Sequence, residues 1–178
     1  MPADRWAPAA IWLHWIMAPL LLIVLAIGYV AEHVAAGGTQ RLLYEAHFSL
    51  GLLALALAFV RLGRRAIGGA PADAARPPFQ RFAARIVHAL LYLAMFGALV
   101  SGWVNFMFLG PVRVFGLVDI PRLFDPDTQE PLRALSWYVH YYSYWALLLL
   151  VTLHSAAALH HHFVRRDRVL LDFMPRRR

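Results

Sequence analysis

Four long apolar runs, separated by short polar or proline- and glycine-rich stretches, dominate this chain. They cover about residues 10 to 31, 42 to 62, 82 to 108 and 133 to 164. Each is long enough for an α-helix to cross the ~30 Å hydrocarbon layer of a bilayer. The fourth exceeds that thickness, so it must tilt or project beyond the lipid. The expected fold is an all-α membrane protein, one domain over residues 1–178, arranged as a four-transmembrane-helix up-down bundle. The first run also has the outline of a secretory signal, with Val34-Ala35-Ala36 as a candidate cleavage site. Its length, and the presence of His14 and Trp15 near its start, favour a retained helix.

Between the runs, Gly63 and its neighbouring arginines are expected to end the second helix. Residues 63 to 80 read as a loop without periodicity. Gly110-Pro111 closes the third helix, and VRVFGLVDI at residues 112 to 120 is a candidate to lie flat at the membrane interface. The tail RRDRVLLDFMPRRR is basic and amphipathic, as a surface-bound segment would be.

Composition agrees with the pattern: 61% of residues are hydrophobic and 15% charged, with mean hydropathy +0.55. Cysteine is absent, which removes disulfides, thiolate metal ligation, iron–sulfur clusters and cysteine-based catalysis together. All 17 basic residues are arginine, for a net charge of +7. They cluster beside the apolar runs instead of forming a basic patch with interleaved aromatics, which excludes a nucleic-acid partner. The stretch from Arg61 to Arg85 holds six arginines against Asp73, and the tail from Arg165 holds six against two acids. The connection from Gly110 to Leu135 holds three against four. The positive-inside rule therefore expects both termini and the second connection in the cytoplasm.

Histidine is the chemistry that this apolar background makes conspicuous. His140 and His154 share one face of the fourth helix, fourteen positions and about 21 Å apart, and His161 continues the stripe. The expected topology sorts the histidines by depth. His14, His88 and His154 fall toward the cytoplasmic side, with His161 beyond them, and His47 and His140 fall toward the other. Imidazoles inside a bilayer are costly unless they are engaged, and two matched depths suggest two stacked prosthetic groups, haem foremost. The outer pair would be His47 with His140, while the inner side offers more histidines than one haem can use. A membrane histidine can instead simply hydrogen-bond across helices. His160-His161-His162 resembles a zinc or copper cluster, but adjacent helical residues diverge, so His160 and His162 read as interfacial, and His33 as incidental. Gly51, Gly97 and Gly102 could admit a flat macrocycle. Arg61 and Arg64 are candidates to pair with haem propionates, and Trp137, Tyr138, Tyr141, Tyr142 and Tyr144 read as an interfacial aromatic belt.

IWLHW at residues 11 to 15, EAHFSLG at 45 to 51, RIVHALLYL around His88 and LHSAAALHHHF at 153 to 163 resemble the bacterial di-haem cytochrome b-561 family over nearly the whole chain. The sequence differs from its relatives in its long third connection and its exclusive use of arginine. The resemblance implies two b-type haems per chain. It gives His14 and His154 as iron ligands of the cytoplasm-side haem and His47 and His140 as those of the periplasm-side haem. It also implies ubiquinone as acceptor near His88 and His161. The likeness is greatest to small stand-alone members that oxidise superoxide with ubiquinone, which makes the chain an oxidoreductase. A haem-bearing membrane subunit fed by a periplasmic dehydrogenase or partner cytochrome is the alternative, and a haem-free transporter or metal permease a third. If superoxide is the donor, Arg41, Arg113, Arg122 or Arg133 would draw the anion in.

Overall fold

The computed structural model describes residues 7–68, 77–109 and 111–175. Four helices carry nearly all of it: α1 (Pro8–His33), α2 (Gly38–Gly68), α3 (Pro78–Met107) and α4 (Glu130–Phe163). All four are long and apolar enough to cross a membrane. Proline sits in the first turn of α1, α3 and α4, where its missing N–H costs nothing and its fixed φ favours the helix. Neighbours in sequence pack together, α1 on α2, α2 on α3 and α3 on α4. Ala54, Ala58 and Ala94 lie buried among Met17, Leu25, Met95, Leu99 and Leu147, and such small side chains let helix backbones approach in lipid.

Most large apolar side chains face outward, Leu93, Phe59 and Leu149 among them. In water that would be an aggregation hazard; in a bilayer it is the solvated face. The α4 aromatics form an exposed ladder, with Trp137 stacked on Tyr141 at 5.3 Å and Tyr138 on Tyr142 at 6.3 Å.

The connections differ from the sequence reading in three places. First, α2 continues to Gly68, so Gly63 does not end it. Nothing crowds Gly63, Arg61 Nη1 donates to the Ala10 carbonyl at 3.2 Å, and the Arg65 guanidinium lies 5.7 Å from the centre of the Tyr92 ring. The Arg65 contact holds the extra turn against α3, and the Arg61 bond ties the turn before it to α1. Most of the expected loop, residues 69–76, lies outside the described residues, as does Gly110.

Second, VRVFGLVDI is a hairpin. Strands β1 (Val112–Val114) and β2 (Val118–Ile120) pair antiparallel with Arg113 opposite Asp119, and those two side chains form an ion pair at 3.0 Å. Phe115 and Gly116 turn the chain with φ of 50° and 69°. The Phe115 N–H donates to Ser49 Oγ at 2.9 Å, pinning the turn to α2. The chain then returns to cap α3: Leu123 and Phe124 N–H groups both donate to the Met107 carbonyl, one of the acceptors a helix end leaves open.

Third, the tail does not simply lie along a surface. Residues 164–175 fold into a hook with a short 3₁₀ turn, α5 (Leu171–Phe173). Trp15 Nε1–H donates to the Phe173 carbonyl at 2.7 Å, tying the hook to the start of α1. The start of α1 and the end of α4 thus share one end of the bundle, the basic end, opposite the hairpin end.

Candidate functional site

Each helix contributes two site positions fourteen residues apart: His14 and Gly28 on α1, His47 and Arg61 on α2, His88 and Gly102 on α3, His140 and His154 on α4. Fourteen residues is nearly four turns, so each pair shares a face and is separated by about 21 Å of rise. In an up-down bundle these faces meet at two levels.

At the hairpin-end level, the His47 and His140 rings face each other with centroids 6.1 Å apart and planes at 89°. His47 Nδ1 lies 2.9 Å from the Val24 carbonyl, and His140 Nδ1 lies 2.8 Å from the Ala98 carbonyl. A carbonyl only accepts, so Nδ1 carries the hydrogen in both rings and each Nε2 keeps its lone pair. Orientation of this kind is what metal-binding imidazoles receive from their surroundings. The rings fit because the helices opposite them lack a side chain. A Cβ at Gly28 would stand 2.7 Å from His47 Cε1, and one at Gly102 would stand 2.8 Å from His140 Cε1. Gly102 therefore admits the His140 imidazole. Gly97 faces the Ser143 hydroxyl, and nothing approaches Gly51.

These rings border a cavity of about 1010 Å³. Its walls are apolar, including Leu21, Leu55 and Leu99, and its mouth carries Glu32, Arg41 and Arg133. There Arg41 pairs with Glu45 at 3.0 Å and the Tyr44 hydroxyl donates to Glu32 at 2.8 Å. His33 bonds the Tyr29 carbonyl and stacks on its ring, away from the pair.

At the basic-end level, three imidazoles gather. His14 and His154 have centroids 6.3 Å apart at 76°, and His88 lies 5.6 Å from His154 at 61°. A metal–imidazole nitrogen bond is about 2 Å, so two rings gripping one ion from opposite sides have centres about 6.3 Å apart. His14 with His154 and His47 with His140 stand at about that spacing, and His88 lies beside the first of these pairs. Each matching pair could hold the iron of a planar macrocycle. Among the described residues no group of three or more His, Asp or Glu is arranged to hold a free metal ion, and His160 meets His161 edge-on. Arg61 is close enough to act electrostatically on both His14 and His154. Arg64 is exposed.

Sequence reasoning missed Gly28, Trp15, Phe173 and Asp167. The Phe173 ring packs edge-on against His14 at 5.1 Å. His161, two turns beyond His154, bonds Asp167 through Nδ1. The signal for Gly28 was available: it lies fourteen residues after His14, the interval that separates His140 from His154.

A profile of the family described as prokaryotic cytochrome b561 matches residues 5–176. Two proteins of Escherichia coli strain K12 are similar over almost their full lengths. Cytochrome b561 homolog 1 is 28% identical over 98% of this chain and 99% of its own. Cytochrome b561 homolog 2 is 29% identical over 94% and 89%.

Proposed function

This chain belongs to the prokaryotic cytochrome b561 family and is a membrane electron-transfer protein, and we propose that it binds two b-type haems and passes electrons from superoxide to ubiquinone. The observation that carries this reading is the pair of facing imidazole couples at 6.1 and 6.3 Å, one near each end of the bundle. When bound, the haems supply one-electron carriers at two depths. His47 and His140 would hold one and His14 and His154 the other. The Val24 and Ala98 carbonyls engage Nδ1 of each ring in the first couple and leave Nε2 with its lone pair for the iron. Arg61, beside the second couple, and Arg64 would pair with propionate carboxylates.

The basic end faces the cytoplasm in this reading, and the membrane is the bacterial inner membrane. At the opposite mouth Arg41 is neutralised by Glu45, while Arg133 has no ion pair among the described residues. Arg133 is then the cation that draws an anionic donor toward the cavity. Two superoxide anions each give up one electron and leave as dioxygen. Ubiquinone takes up those two electrons and two protons to become ubiquinol. His88 and His161 would deliver the protons, a task to which imidazole is suited near neutral pH.

Purified wild-type protein is expected to contain two haems per chain. His47→Ala and His14→Ala should each leave about one haem, because a lone imidazole grips it too weakly to survive purification. Superoxide mixed with the oxidised protein should reduce the haem band within the dead time or shortly after, and added ubiquinone should restore it. A colourless protein, or His47→Ala with its full pigment, defeats the haem assignment. A band that ignores superoxide but responds to a periplasmic redox protein favours a membrane subunit serving such a partner.

A further inference from the structure

The hook beyond α4 brings one acidic side chain against the stripe of site histidines. Asp167 Oδ2 bonds His161 Nδ1, and Arg165 Nε lies 3.8 Å from the same oxygen. The other carboxylate oxygen accepts from the Val169 N–H at 3.2 Å. The Asp167 N–H in turn donates to the His161 carbonyl at 3.2 Å. The far end of the hook is fixed by the Trp15–Phe173 bond beside His14. Asp167 is therefore clamped by both its backbone and its side chain, with 35% of the side chain exposed against 23% for His161.

We infer that Asp167 is the positioning residue for His161 in the protonation of the acceptor, a role that rests on the reading of ubiquinone reduction at the basic end. A carboxylate only accepts, so the ring hydrogen on Nδ1 is held and Nε2 is the working nitrogen. In the protonating step the Nε2–H bond of the imidazolium breaks and a bond from that hydrogen to a quinone oxygen forms. The electrons come from the electron-transfer route proposed above, and His161 is left neutral as the Nδ1–H tautomer that Asp167 already binds. Water at the basic end then returns a proton to Nε2. Beside the imidazolium, Asp167 compensates the positive charge and keeps one tautomer ready. The groups facing it are His161 on α4 and Arg165 on the hook. His160 meets the His161 ring, the Arg168–Asp172 pair lies further along the hook, and His14, His88, His154 and Arg61 share the same end of the bundle. Burial pushes the Asp167 carboxyl up. The bonds from His161 and the Val169 N–H, with the charges of His161 and Arg165, outweigh this and hold it below the usual carboxylate range.

Haem-loaded Asp167→Asn and Asp167→Glu test this against wild type. Each is reduced with limiting dithionite and mixed anaerobically with a short-chain ubiquinone, from about pH 5.5 to about pH 9. Asp167→Asn should keep the wild-type haem spectrum, haem content and rate of reduction by superoxide. Its reoxidation by ubiquinone should fall about tenfold or more, with the alkaline limb of the pH–rate profile moved to lower pH. Asp167→Glu should recover most of the rate. Nitrogen NMR of the reduced, histidine-labelled protein should report the Nδ1–H tautomer for His161 in wild type and its loss in Asp167→Asn. If ubiquinone fails to reoxidise wild type, the ubiquinone reading and this role fall together. If wild type is reoxidised and Asp167→Asn matches it in rate and pH profile, this role alone falls. An unchanged His161 tautomer with a slowed rate also overturns it, leaving Asp167 as a clasp for the hook.

Discussion

Gly28 and Gly102 shape the site by what they lack. Their missing Cβ atoms leave room for the His47 and His140 rings. Those rings cannot retreat easily, because each is tethered by Nδ1 to a backbone carbonyl on the neighbouring helix. Gly28→Ala is therefore expected to turn His47 out of line and lower bound haem from two per chain toward one. The induced strain is about 1–3 kcal/mol. Gly51→Ala, with open space at its Cβ, should leave haem content unchanged. Pyridine haemochrome titration reads both, and full pigment in Gly28→Ala would refute the outer couple. Histidine identity and depth were legible in the sequence at this scale. The glycine opposite each ring was not, because a glycine in an apolar helix reads the same whether it faces a ring, another helix or lipid.

Among the elements, the α2 extension, the hairpin and the hook departed from the sequence reading for one shared reason. Their anchors lie far away in the chain: Ala10 for Arg61, Tyr92 for Arg65, Ser49 for Phe115, Trp15 for Phe173. Local rules for helix exits and amphipathic tails contain no such partners. The hook also carries a pH dependence. Asp167 has a folded carboxyl below its ordinary value, so its stabilising contribution is complete above the unfolded value of ~3.9. It is lost as pH falls through the lower folded value. Hydrogen-exchange protection of the Val169 amide, corrected for intrinsic rates, should be level from about pH 8 to about pH 5 and decline only below about pH 4. Protection that rises on acidification would contradict this.

Across the whole molecule, two ends of opposite character frame an apolar belt. Arg61, Arg64, Arg65, Arg81, Arg85 and the hook arginines crowd one end, and Asp119, Asp125, Asp127 and Glu130 mark the other. The natural absence of cysteine makes orientation simple to measure. Asp127→Cys in intact cells should react with a membrane-impermeant maleimide, and Arg85→Cys only after the inner membrane is opened. The reverse pattern would invert the assigned topology.

The number of long apolar helices, their approximate limits and the position of each site histidine along its helix follow from the order of residues alone. Transfer into lipid sums along a segment whatever its neighbours are, and depth is position along one helix axis. Which imidazole faces which is a matter of rotation between helices, set by contacts such as Gly28 with His47 and Gly102 with His140. The tertiary structure therefore decided that His14 and His88 both stand beside His154, with ring centres 6.3 and 5.6 Å away. It also decided that the tail turns back to meet His161 and His14, because both outcomes depend on how surfaces distant in the chain fit together.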